Sequence, residues 1–63
     1  MKEMIDNLIN GNLSDAKRQA QKFGLQRIAV YCRTQLGWSA RKSAAAANYL
    51  KTGVGFQVYC DAE

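Results

Sequence analysis

The sequence predicts an all-α domain, a small bundle of four helices plus a short C-terminal helix, on three observations. Apolar residues recur at i, i+3, i+4 and i+7 in four successive stretches, the pattern of helices that each bury one stripe. Gly11, Gly24, Gly37 and Gly53 stand where those stretches break. With 48% apolar and 22% charged residues, the composition is that of a folded chain rather than a disordered one. At 63 residues one domain, 1–63, is the expectation. A domain of that size buries only about 60% of the surface its extended chain exposes, so its stability is modest and its working surface is its outside.

The first stretch, Met1 to Asn10, places Met1, Met4, Ile5 and Leu8 on one stripe. Gly11 stops it, because a glycine can take the left-handed conformation common at helix C-termini. The pattern restarts with Ser14 as the expected N-cap and Asp15 at the positive end of the helix dipole. Leu13, Ala16, Ala20 and Phe23 then line one face up to Gly24. Leu25 to Leu36 is the most apolar stretch, with Leu25, Ile28, Ala29, Cys32 and Leu36 in one arc, and is the expected central helix.

Gly37 and Trp38 form a corner, Ser39 is the next N-cap, and Ala40 to Lys51 reads as a fourth helix of strong intrinsic propensity. Its small residues suit close helix approach, with Ser43, Ala46, Ala47 and Leu50 toward the core. Thr52 and Gly53 close it. The tail from Val54 alternates like a strand, but a lone strand leaves its backbone groups unpaired. A short helix after Gly55 that packs Phe56 onto the core is therefore expected.

Catalysis is hard to build from this inventory, and the chain is expected not to be an enzyme. There is no His, and the carboxylates Glu3, Asp6, Asp15, Asp61 and Glu63 fall in helix starts and the tail rather than in a cleft. Cys32 and Cys60 form no CxxC pair and have no histidine beside them, so no metal or cofactor is expected and both read as small buried hydrophobes in a reducing compartment. No apolar run reaches the 18 or so residues of a membrane span, and Lys2, Glu3 and Asp6 interrupt the N-terminus too early for a signal peptide. A soluble, cytoplasmic protein is the expectation.

Two binding readings remain. The formal charge of +4 raises nucleic acid, with Arg27, Arg33, Arg41, Lys42 and Asn48 as the candidate DNA-binding residues. Leu36-Gly37-Trp38-Ser39 joins two helices through a glycine turn, as in a helix-turn-helix. That motif wants a small residue where Arg33 stands and an apolar one where Ser43 stands. The second reading is a protein interface formed by the apolar and aromatic residues left off the core stripes. Its candidates are Val30 and Tyr31 on the central helix, and Arg41, Lys42, Ala45 and Tyr49 on the fourth. A core this small also makes a homodimer an expectation.

Asn12-Leu13-Ser14-Asp15-Ala16-Lys17-Arg18, Tyr49-Leu50-Lys51-Thr52-Gly53 and Tyr59-Cys60-Asp61-Ala62-Glu63 together resemble small accessory proteins of lambda-like temperate phages and prophages. The resemblance covers most of the chain and assigns no functional residue. It implies a regulator in a host bacterial cytoplasm that tunes lytic development or host physiology by binding a host or phage protein; the helix-turn-helix comparison and the charge keep a DNA-binding regulator as the alternative.

Overall fold

The computed structural model describes residues 1–62; Glu63 lies outside the described residues. Five helices follow in order: α1 (Lys2–Ile9), α2 (Leu13–Ala20), α3 (Leu25–Gln35), α4 (Ala40–Thr52) and α5 (Phe56–Asp61), and the described residues contain no strand. The predicted all-α bundle of four helices and a short fifth is therefore the fold. α1 packs on α2, while α4 packs on α2, α3 and α5. The fourth helix is the spine.

α1 buries Met4, Ile5 and Leu8, the stripe its spacing predicts. A polar relay ties it to α2: Asn7 Nδ2 donates to Gln19 Oε1 at 2.8 Å, and Gln19 Nε2 donates to Glu3 Oε1 at 2.9 Å. α2 begins two residues earlier than Ser14 predicts, because the Ala16 amide bonds the Asn12 carbonyl at 3.0 Å and makes Asn12 the N-cap. Ser14 sits exposed in the first turn.

Nor does Gly24 end α2. The helix stops at Ala20, and the amides of Gln21, Lys22 and Phe23 bond back three residues to Arg18, Gln19 and Ala20, tightening the chain out of the helix. Gly24, at φ −74° and ψ 152°, is instead the extended N-cap of α3.

α3 buries Ile28 and Cys32, with Ala29 and Leu36 half-buried. Leu25, expected in the same arc, is 44% exposed because it is the first residue of the helix and overhangs the core. The corner forms as predicted: Gly37 takes φ 70°, and the Ser39 hydroxyl accepts the Lys42 amide at 3.1 Å. At the far end Gly53 is the left-handed C-cap of α4, with φ 79° and its amide on the Tyr49 carbonyl at 2.7 Å.

α4 carries two buried arcs. Ser43, Ala46, Ala47 and Leu50 are buried as predicted, and Ala46, Ala47 and Leu50 join one apolar cluster with Ile28 and Cys32 of α3 and Ala16 and Ala20 of α2. Ala45 and Tyr49 form the second arc. The expected short helix after Gly55 is present as α5, which has no fully buried residue of its own. It is held by its rings: Phe56 lies 4.9 Å from Tyr49, and Tyr59 lies 5.9 Å from both Phe56 and Trp38. Phe56 thus packs onto the core through Tyr49, as expected, but stays 38% exposed, and half-buried Trp38 packs against the core from the corner.

Leu50, only 1% exposed, and half-buried Leu36 give a graded test of this core. Leu50→Ala should cost about 2 to 5 kcal/mol and Leu36→Ala clearly less, read by chemical denaturation. Ser43 should respond in the opposite direction. Its hydroxyl is fully buried with no hydrogen-bond partner, so Ser43→Ala should raise stability by about 1 kcal/mol by removing a desolvated polar group.

Candidate functional site

The two candidate protein-binding patches, Val30 with Tyr31 on α3 and Tyr49 with Arg41, Lys42 and Ala45 on α4, fare differently. Val30 and Tyr31 stand on the outer side of α3, with Val30 47% exposed and Tyr31 half-buried. Arg41 is exposed at the start of α4, where it lines a shallow depression with Ser39, Asp61 and Ala62. The expectation that Tyr49 and Ala45 lie outside is overturned: they are 6% and 9% exposed. α5 returns across this side of α4 and stacks Phe56 on the Tyr49 ring, while the Lys17 ammonium stands 5.5 Å from the centre of that ring. Lys42 is half-buried, with its ammonium 4.4 Å from the Trp38 ring and 5.7 Å from that of Tyr59.

The DNA-binding candidates divide in the same way. Arg27, Arg33 and Arg41 are exposed, and Arg27 lies over the Phe23 ring at 5.8 Å. Asn48 shares the exposed stripe of α4 with Arg41 and Ala44, but its Nδ2 donates to the Val54 carbonyl at 3.2 Å and so holds the turn into α5. Three candidates, Arg27, Lys42 and Asn48, thus have structural partners, and of these Lys42 is half-buried. At the packing positions of the helix-turn-helix comparison, Arg33 stands exposed and Ser43 is buried with its hydroxyl unbonded.

The structure does bring together a face on α3. Val30 and Thr34 form a ridge shared by two open grooves. The first, of about 430 Å³, is completed by Arg33, Trp38 and Ala40; the second, of about 420 Å³, by Met1, Phe23, Arg27, Tyr31 and Gln35. Each groove holds one arginine, and no described carboxylate lines either. Sequence reasoning placed Val30 and Tyr31 outside but missed Thr34, Gln35 and the use of Phe23 and Trp38 as groove walls. Those depend on how α1 and the α3–α4 corner flank the helix.

Charge is segregated in a way the sequence could have disclosed. From Ala16 to Cys60 there is no Asp or Glu, yet that stretch holds every Lys and Arg except Lys2. Four of these cations rest on groups that leave their charge intact. Lys17, Arg27 and Lys42 lie over rings, and Lys51 Nζ donates to the Ala20 carbonyl at 3.4 Å. Exposed Arg18 pairs instead with Asp15 at 2.9 Å. The α3 and α4 surface is therefore positive, and among the described residues Asp61 is the carboxylate that shares a depression with one of its cations, Arg41.

No cluster of three or more metal-ligating side chains occurs among the described residues, and no described helix is long and apolar enough to cross a membrane. What the surface offers is shape and charge for binding. No family model, curated protein or solved structure matches this chain.

The two thiols differ, and only one fits the sequence expectation. Cys32 is fully buried, and burial pushes its pKa up to about 11 from an ordinary 9.0, against the smaller downward pull of Lys42. Cys60, expected buried, is exposed because α5 turns Phe56 and Tyr59 toward the body and the residue after Tyr59 away from it. Burial, with smaller contributions from Cys60 and Cys32, also raises the Tyr59 hydroxyl pKa.

A thiol reagent at pH 8 should therefore modify Cys60 rapidly in the folded protein and Cys32 only on unfolding. The buried thiol favours the protonated form in the folded state, so its contribution to stability is complete below pH 9.0 and is lost as pH rises toward about 11. Denaturation midpoints measured across that window should fall for the wild type and fall less for Cys32→Ala.

Proposed function

We propose that this protein is a non-enzymatic binding module of a temperate phage or prophage. It acts in the bacterial cytoplasm as an adaptor or inhibitor, docking a host or phage protein on the outer face of α3 and thereby tuning lytic development or host physiology. The observation that carries this reading is the pair of grooves astride Val30 and Thr34, walled by Phe23, Tyr31 and Trp38 and edged by Arg27 and Arg33. Aromatic residues and arginine are the residue types that most often anchor protein interfaces. The resemblance to phage accessory proteins supplies the setting.

Duplex DNA is the second reading, favoured by the carboxylate-free run from Ala16 to Cys60. Against it stand the apolar ridge in the middle of the face and the prior engagement of Lys42 and Asn48.

The two classes separate in one paired experiment. A photo-crosslinking residue at position 30, expressed in a bacterial host, should capture a discrete protein, while the same residue at exposed position 44 should not. Titration with duplex DNA at low salt should show no specific saturation. Salt-steep duplex binding weakened by Arg41→Ala, with no adduct at position 30, would replace protein docking with DNA binding.

A further inference from the structure

We infer that the occupant of the α3 face is an amphipathic helix with carboxylates flanking its apolar stripe. This rests on the protein-docking reading above and adds the partner's chemistry. Three features of the face carry it.

The first is shape. On a helix, residues four apart form rows, and here Val30 and Thr34 make a raised row with a groove on each side. Arg27, Tyr31 and Gln35 form the adjoining row in one groove, and Arg33 lies in the other. A ridge between two grooves is what a second helix packs against, setting its own rows into those grooves at a crossing of about −50°. The Thr34 hydroxyl is turned inward to the Val30 carbonyl at 2.8 Å, which presents an apolar methyl on the ridge.

The second is charge. Arg27 and Arg33 sit on opposite sides of the ridge, roughly 9 Å apart along the helix axis. Neither is neutralised by a carboxylate among the described residues. Arg27 is steadied by the Phe23 ring, and a guanidinium held by its π face keeps its in-plane N–H donors for a carboxylate.

The third is what the face excludes. A two-fold dimer through α3 would set this patch against itself, opposing arginines to arginines with no carboxylate between them. A phosphate backbone would meet an exposed valine at the centre of its track. An acidic amphipathic helix satisfies the ridge and both arginines together.

The test titrates the full isotope-labelled chain with an 18-residue helical peptide carrying Leu at i, i+3, i+4 and i+7 and Glu at the flanking positions, and with its counterpart carrying Lys for Glu. The Leu/Glu peptide should shift amides of α3 between Arg27 and Thr34 and bind at least about tenfold tighter than the Leu/Lys peptide at low salt. Arg27→Ala with Arg33→Ala should cut that affinity roughly three- to tenfold and flatten its salt dependence. Val30→Glu should abolish it while the circular dichroism stays helical, since residue 30 is exposed.

Equal affinity for the two peptides at α3 would overturn the acidic partner and leave protein docking standing. Binding of neither peptide, with duplex DNA shifting the same amides, would overturn both. Shifts that depend only on protein concentration would make a second copy the occupant and equally overturn the proposal.

Discussion

Five short helices can share one core here because α4 presents small side chains on the side where its neighbours meet. Ser43, Ala46 and Ala47 are fully buried, and a helix whose surface is a methyl or less thick lets other backbones approach closely. α4 therefore contacts α2, α3 and α5, and across its small stripe the partners supply Ile28 and Cys32 from α3 and Ala16 and Ala20 from α2, while α4 adds Leu50 and Tyr49 further along. A spine of larger residues would hold the partners further apart, and a chain of 63 residues has no spare apolar surface to fill the gap.

The side of α4 that meets α5 is closed by rings and cations rather than by aliphatic burial. Lys42, Trp38, Tyr59, Phe56, Tyr49 and Lys17 follow one another in a chain of ring and ammonium contacts that joins α2, α4 and α5. This holds a six-residue helix that buries nothing completely. It also has an electrostatic consequence. A ring face steadies a cation without cancelling its charge, whereas a carboxylate would cancel it, so the same contacts that fasten the fold leave the surface positive. The α3 face inherits that charge at Arg27 and Arg33.

Much of the architecture was legible because helical periodicity and glycine breaks are local signals. Met4, Ile5 and Leu8, the Ser39 cap, Gly53 and the small stripe of α4 all follow from residue spacing. Ser14 and Gly24 misled because capping is decided by the path of the neighbouring chain: Asn12 already receives the Ala16 amide, and three tight bonds end α2 before Gly24 is reached. Tyr49 was unreadable for a different reason. A wheel drawn for one stripe leaves it outside, but a helix touched from three directions buries a second arc, and the covering element was the most ambiguous segment of the sequence. On α3 the central ridge residue Val30 was legible, whereas the groove walls come from Met1 at the start of the chain and from Phe23 and Trp38 in the turns at either end of α3, where helical periodicity no longer says which way a side chain faces. The segregation of charge was visible in the sequence all along, in the order of residues rather than in their sum.

The dependence of the fold on a small-residue spine is tested most directly by enlarging that spine at one point. Ala46→Leu and Ala44→Leu add the same side chain to the same helix with little change in propensity, one at a fully buried position and one at an exposed position. Denaturation should show Ala46→Leu destabilised by about 1 to 3 kcal/mol or unfolded, and Ala44→Leu within about 0.5 kcal/mol of the wild type. Equal stability of the two variants would mean that the helices do not close upon α4 as described.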